Sequence, residues 1–235
     1  MPRAMTLAEI ETTIRDFANA SRNAIEAGFD GVECHAANGY LIDQFLQDVS
    51  NKRTDKYGGS VANRSRYLEE VLQAMVAAVG ADRVGLRLSP WSTFQGMKMQ
   101  DPVPQFSHVV DIASKVGLAY LHLVESRISG ASNANITDGS ADEGLDFIYD
   151  LWDGPLLVAG GYGAESARVL VDVGRPDKDI AVMFGRPFIS NPDLVYRIRE
   201  GIPLEPYDRG TFYASGSPKG YSDYAYSKEY LTRMA

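Results

Sequence analysis

The chain has 235 residues, 45% of them apolar and 23% charged, enough to build a substantial core and too apolar for extensive disorder. Its formal charge of −8, from 23 Lys and Arg against 31 Asp and Glu, disfavours a nucleic-acid-binding surface. The single cysteine, Cys34, excludes an intrachain disulfide framework, and no apolar run approaches the roughly 20 residues that span a bilayer. The start of the chain lacks the apolar stretch of a signal peptide, so the expectation is a soluble, cytoplasmic protein forming one domain over residues 1–235.

Thr6-Leu7-Ala8-Glu9 has capping-box spacing, and the periodic run behind it predicts a helix up to Ala27-Gly28. Phe29 to Cys34 reads as a short strand ending at His35. Ser60 to Val79 reads as a helix stopped by Gly80, with a strand from Val84 to Leu88. Val109 to Val116, stopped by Gly117, precedes the strand Ala119 to Val124. Phe147 to Trp152 precedes Pro155 to Ala159, and Ala164 to Val173, stopped by Gly174, leads into Ile180 to Phe184. Ala131 to Gly144 is small, polar and expected to be a mobile loop. Helices alternating with near-continuously apolar strands predict a parallel sheet covered by helices.

In such folds ligands gather at the carboxyl ends of the strands. The polar residues fall there: His35, Arg87 with Ser89, Glu125 with Arg127, Gly160-Gly161 and Gly185-Arg186. His35 and Asn38 can both donate to one carbonyl oxygen, polarising it as an oxyanion hole does, and Tyr40 can supply a proton to carbon. The alternative is that His35 caps a strand end and Tyr40 packs in the core. Arg87, flanked by apolar residues, needs either a structural salt bridge or an anionic cofactor.

Gly160-Gly161 and Gly185-Arg186 suit a single phosphate held between two adjacent units, although glycine turns are common at such positions. Phe94, Trp91, Phe212 and Tyr213 either line an apolar pocket or simply pack. Cys34 is expected to be inert. His35, His108 and His122 lack metal-ligand spacing, so no metal site is expected. Gly130-Ala131-Ser132-Asn133-Ala134 lacks the second glycine of a serine-hydrolase elbow.

Gly28-Phe29-Asp30-Gly31-Val32-Glu33-Cys34-His35-Ala36-Ala37-Asn38-Gly39-Tyr40-Leu41-Ile42-Asp43-Gln44-Phe45-Leu46 closely resembles the old yellow enzyme family of flavoproteins. So do Asn51 to Ser60 with Asn63-Arg64, Gly85 to Pro90, Ala159 to Tyr162, Phe184 to Pro187 and Asn191 to Leu194. The closing Tyr207 to Tyr213 and Gly220-Tyr221 look most like its fungal and yeast branch. The resemblance implies an α/β fold, the C-terminal five βα units of a TIM (β/α)8 barrel, with the first three strands and their flavin-contacting Thr and Gln not represented. It also implies an FMN-dependent NADPH oxidoreductase acting on the C=C bond of an α,β-unsaturated carbonyl compound. His35 and Asn38 would hold the carbonyl oxygen, Tyr40 would protonate the α carbon, and Arg87 would sit by the flavin ring. Gly160, Gly161, Gly185 and Arg186 would hold the FMN phosphate, with Phe94 and Tyr213 bordering the substrate.

Five strands cannot close an eight-stranded barrel, so a second copy, a complementing chain or a rearranged fold is expected to cover the open sheet. Two other readings compete. One is a redox-neutral epimerase or isomerase that keeps the polarising pair and Tyr40 without flavin. The other is an inactive remnant or interaction subunit.

Overall fold

The computed structural model describes residues 3–126 and 143–234. Helix α1 (Leu7–Glu26) starts as its sequence dictates. The Thr6 hydroxyl accepts the Glu9 backbone N–H at 3.3 Å, and the Glu9 carboxylate accepts the Thr6 N–H at 2.8 Å. Strand β1 (Val32–Ala36) follows, then the short α2 (Leu41–Leu46) and the long α3 (Val61–Val79), capped by the Ser60 hydroxyl. Strand β2 (Val84–Leu88), helix α4 (Val103–Val116) and strand β3 (Tyr120–Val124) form the next unit. Gly117 ends α4 at φ +76°, the left-handed conformation that glycine adopts without strain. Helix α5 (Asp146–Tyr149), β4 (Leu156–Ala159), α6 (Ala164–Val169) and β5 (Ile180–Met183) follow, with α7 (Arg186–Ser190), α8 (Leu194–Glu200) and α9 (Lys228–Met234) at the end.

All five strands are parallel and lie in the order β1-β2-β3-β4-β5. Each new strand adds to the same side of the last. A doubly wound sheet would reverse direction at a switch point, whereas a barrel advances one way, as here. One edge of β1 and one edge of β5 carry no strand among the described residues.

Side chains alternate between the two faces of the sheet. Cys34, Ala36, Leu86, Leu88, Leu121, Leu123, Leu156 and Val158 face the helices and are fully buried in one continuous core. Helix α3 packs between α1 and α4, and α4 continues to α5. The opposite face carries Glu33, His35, Gly85, Arg87, Tyr120, His122, Leu157, Ala181 and Met183. Here Glu33, His35, Ala181 and Met183 are exposed.

Several boundaries differ from expectation. His35 lies inside β1, because its register partner Arg87 extends the ladder and Ala36 still pairs with Leu88. Helix α4 begins well before Val109, at Val103 behind Pro102, where a missing N–H costs nothing. The helix expected over Ala164 to Val173 widens into a π turn over Leu170–Gly174. The segment Phe147 to Trp152 is helical only to Tyr149. No helix among the described residues is long and apolar enough to cross a membrane. Arg127, and the expected loop from Ala131 to Gly144 apart from Glu143 and Gly144, fall outside the described residues.

Candidate active site

The loop after β1 is pinned from both sides. Asn38 adopts φ +57° and Gly39 φ +71°, a left-handed pair that folds the chain back before Tyr40 opens α2. The Asn38 N–H donates to the Ser89 hydroxyl at the end of β2, at 2.7 Å. The Gln95 side-chain amide donates to the Asn38 carbonyl at 3.1 Å. A Cβ on Gly39 would stand 2.8 Å from the Gln95 Cβ, so the close approach needs glycine.

Beneath this turn lies the fully buried Asp43. Its Oδ2 accepts the Gly39 N–H at 2.8 Å, and its Oδ1 accepts the Gln47 side-chain amide at 3.0 Å. Gln47 in turn accepts the Lys98 and Met99 N–H groups at 3.1 and 3.2 Å. Burial pushes the Asp43 carboxyl up to about 6, with the two hydrogen bonds opposing part of that rise. Asp43 is thus a keystone of the Asn38–Tyr40 turn that the sequence reading did not single out.

His35 projects from β1 onto the open face, its ring centroid 5.3 Å from that of Tyr40. Burial first, and the Arg87 charge second, lower its pKa, keeping the imidazole neutral near pH 7. A neutral imidazole still offers one N–H, and the Asn38 side-chain amide, three residues along the chain, is a second donor. Tyr40 is 51% exposed, so it does not pack in the core. Cys34 points the other way into the core, where burial pushes its thiol up to about 12 and leaves it unreactive.

Arg87 sits opposite His35 on β2, and among the described residues it makes no hydrogen bond or ion pair. The salt-bridge alternative is therefore not realised among the described residues. Its buried Nε is an orphan donor on a half-buried cation, an arrangement that calls for an anionic or strongly polar ligand.

A cleft of about 650 Å³ opens above the strand ends. Asn38, Tyr40, Arg87, Phe94, Gly160, Gly161, Gly185, Arg186 and Tyr213 all line it, whereas Trp91 packs in the core instead. His35 lies alongside through its contact with Tyr40. Gly160, at φ +151°, has no room for a side chain, since a Cβ would stand 2.4 Å from the Glu125 Cβ. Glu125 also accepts the Tyr162 hydroxyl at 2.5 Å, bracing the turn after β4 against the end of β3. Tyr207, Arg209 and Phe212 join the lining, with the Arg209 guanidinium over the Phe212 and Tyr213 rings at 5.0 and 5.1 Å. Among the described residues no Asp or Glu lines the cleft, although the chain as a whole is acidic.

A model of the NADH:flavin oxidoreductase / NADH oxidase family matches residues 1–205. The chain belongs to this family. The chain is 57% identical over 231 residues to the chanoclavine-I aldehyde reductase fgaOx3 of Penicillium roqueforti (strain FM164), covering 97% of this chain and 61% of that protein. It is also 50% identical to a probable inactive reductase, easA, of Epichloe festucae var. lolii, covering 98% and 62%. An Old Yellow Enzyme from Pichia sp. AKU4542 superposes with a TM-score of 0.83 at 42% identity, covering 96% of this chain and 57% of that one. The five parallel units are therefore part of an Old Yellow Enzyme-type TIM barrel. The chain spans about 61% of the length of the curated relative fgaOx3.

The sequence reading missed Asp43, Glu33, Tyr120 and His122, and the Glu125–Tyr162 contact. One signal was available: Gly85, an isolated glycine inside a strand, marks a close approach.

Proposed function

We propose that this chain carries the substrate-polarising and proton-donating machinery of an FMN-dependent, NADPH-using reductase of α,β-unsaturated carbonyl compounds. The observation that carries this reading is the convergence of Asn38, Tyr40, Arg87 and the two glycine turns on one cleft, with His35 against Tyr40. His35 and Asn38 donate to the carbonyl oxygen and draw electron density away from the alkene. Tyr40, exposed at the cleft wall, gives its phenolic proton to the α carbon and regains one from solvent.

The residues present suit FMN. Arg87, without a partner among the described residues, would face the ring, where its charge offsets the negative charge of reduction. Gly160, Gly161 and Gly185 would bring backbone N–H groups to the phosphate, with Arg186 beside them. Bound there, FMN would take hydride from NADPH and pass it to the β carbon. The open sheet face, with edges that carry no further strand among the described residues, supports a complementing barrel half.

The test is the visible spectrum of the full chain after incubation with FMN and desalting. A retained flavin band that bleaches with NADPH and returns with an enone supports the reading. A colourless protein that exchanges the α protons of a carbonyl compound in deuterated buffer, and loses this in Tyr40→Phe, would replace it with redox-neutral isomerisation. A colourless, inert protein would leave only an interaction role.

A further inference from the structure

Below the cleft, the uncovered sheet face carries a polar cluster that proton donation by Tyr40 does not require. The Tyr120 hydroxyl on β3 donates to Glu33 Oε2 on β1 at 3.1 Å, and His122 Nδ1 lies 3.0 Å from the same oxygen. These contacts reach across β2, the strand between them. They pass because the intervening residue is Gly85, where a Cβ would stand 2.2 Å from the Tyr120 ring. One step further along β2 is Arg87, in register with His35 on one side and His122 on the other.

Two buried nitrogens in that row, Arg87 Nε and His122 Nε2, have no hydrogen-bond partner among the described residues. His122 itself is 8% exposed. Burial alone would raise the Glu33 pKa, but the His122 and Tyr120 hydrogen bonds and the Arg87 charge outweigh it and keep the carboxylate ionised. An ionised carboxylate can only accept, so Nδ1 carries a proton towards Glu33, and in a neutral ring Nε2 would then be an acceptor on the strand beside Arg87. The charged and titratable groups on this face are Glu33, His35, Arg87, Tyr120 and His122.

We propose that Glu33 and His122 are positioning residues for Arg87. Glu33 fixes the His122 tautomer, His122 presents an acceptor next to the guanidinium, and the Glu33 charge offsets part of the positive charge that Arg87 offers to a bound ring. The inference deepens the FMN reading and rests on it for its second half.

The experiment compares the full chain with Glu33→Gln, using nitrogen-15 spectra of its histidines, with His122 assigned by substitution, and the midpoint potential of bound FMN. Wild type is expected to hold His122 as the Nδ1–H tautomer. Glu33→Gln is expected to give a tautomer mixture and a more positive midpoint potential, because a negative charge has been removed near the ring. Tyr120→Phe, which removes the other hydrogen bond to the same oxygen, is expected to keep the wild-type tautomer. If Glu33→Gln does not fold, Glu33→Asp shortens the reach while keeping the charge, and is expected to shift the tautomer with little change in potential. An unchanged tautomer in Glu33→Gln overturns the pairing, and an unchanged potential overturns its action on Arg87. Failure to bind FMN would overturn the cofactor reading and the tuning together, while the tautomer still decides the pairing.

Discussion

The two faces of the sheet obey different rules although they share every strand. The helix-facing side is built from Cys34, Ala36, Leu86, Leu88, Leu121, Leu123, Leu156 and Val158, closely packed and chemically silent. The other side holds Glu33, His35, Arg87, Tyr120 and His122 on β1 to β3, joined by hydrogen bonds that span strands or aimed at the cleft. One face sets the stability of the sheet. The other holds its charged and titratable side chains.

Three consecutive residues of β2 put that division to the test. Leu86→Ala opens a cavity on the helix-facing side and is expected to cost about 2–5 kcal/mol in chemical denaturation, with no direct effect on ligand contacts. Gly85→Ala drives a methyl into the Tyr120 ring and is expected to cost about 1–3 kcal/mol while displacing Tyr120 from Glu33. Tyr120 fluorescence and a denaturation midpoint would register both effects. Equal costs for Leu86→Ala and Arg87→Ala would erase the distinction between the faces.

Asp43 sharpens the comparison with a pH dependence. Its carboxyl is raised to about 6 in the folded chain from 3.8, so the folded state binds the proton more tightly than the unfolded state. Its contribution therefore makes the protein less stable as pH rises from about 4 to 6, by something on the order of 1–3 kcal/mol. Asp43→Asn is expected to flatten that part of the stability–pH curve. Asp193 acts with the opposite sign. Burial would raise its pKa, but hydrogen bonds from Ser227 and Arg197 pull it down to about 2, so its stabilisation is lost as pH falls from about 4 towards 2. Arg87→Ala stands last in stability, expected to cost less than about 1 kcal/mol because it removes a charge without a partner among the described residues. It is expected to abolish FMN retention all the same, as equilibrium dialysis would report.

The five strands could be read from the sequence because parallel strands covered by helices are apolar on nearly every residue, and glycines mark the ends of most preceding helices. The short helices α2, α7, α8 and α9 were not foreseen, since none is long enough to display a 3.6-residue period. His35, Asn38 and Tyr40 were legible as a local constellation. Glu33 was not, because its partners Tyr120 and His122 lie 87 and 89 residues away and only strand order brings them together. Asp43 resembled an ordinary polar residue of a helix until the left-handed turn above it gave its carboxylate a donor.

The central claim is that Tyr40 is the proton donor to a carbonyl-activated alkene, and its most direct test separates the two halves of turnover in Tyr40→Phe by rapid mixing. The account predicts that NADPH bleaches the bound flavin at the wild-type rate, while reoxidation by an enone slows by roughly 10²–10⁴-fold, the range of a lost general acid. Reoxidation at the wild-type rate in Tyr40→Phe would contradict it.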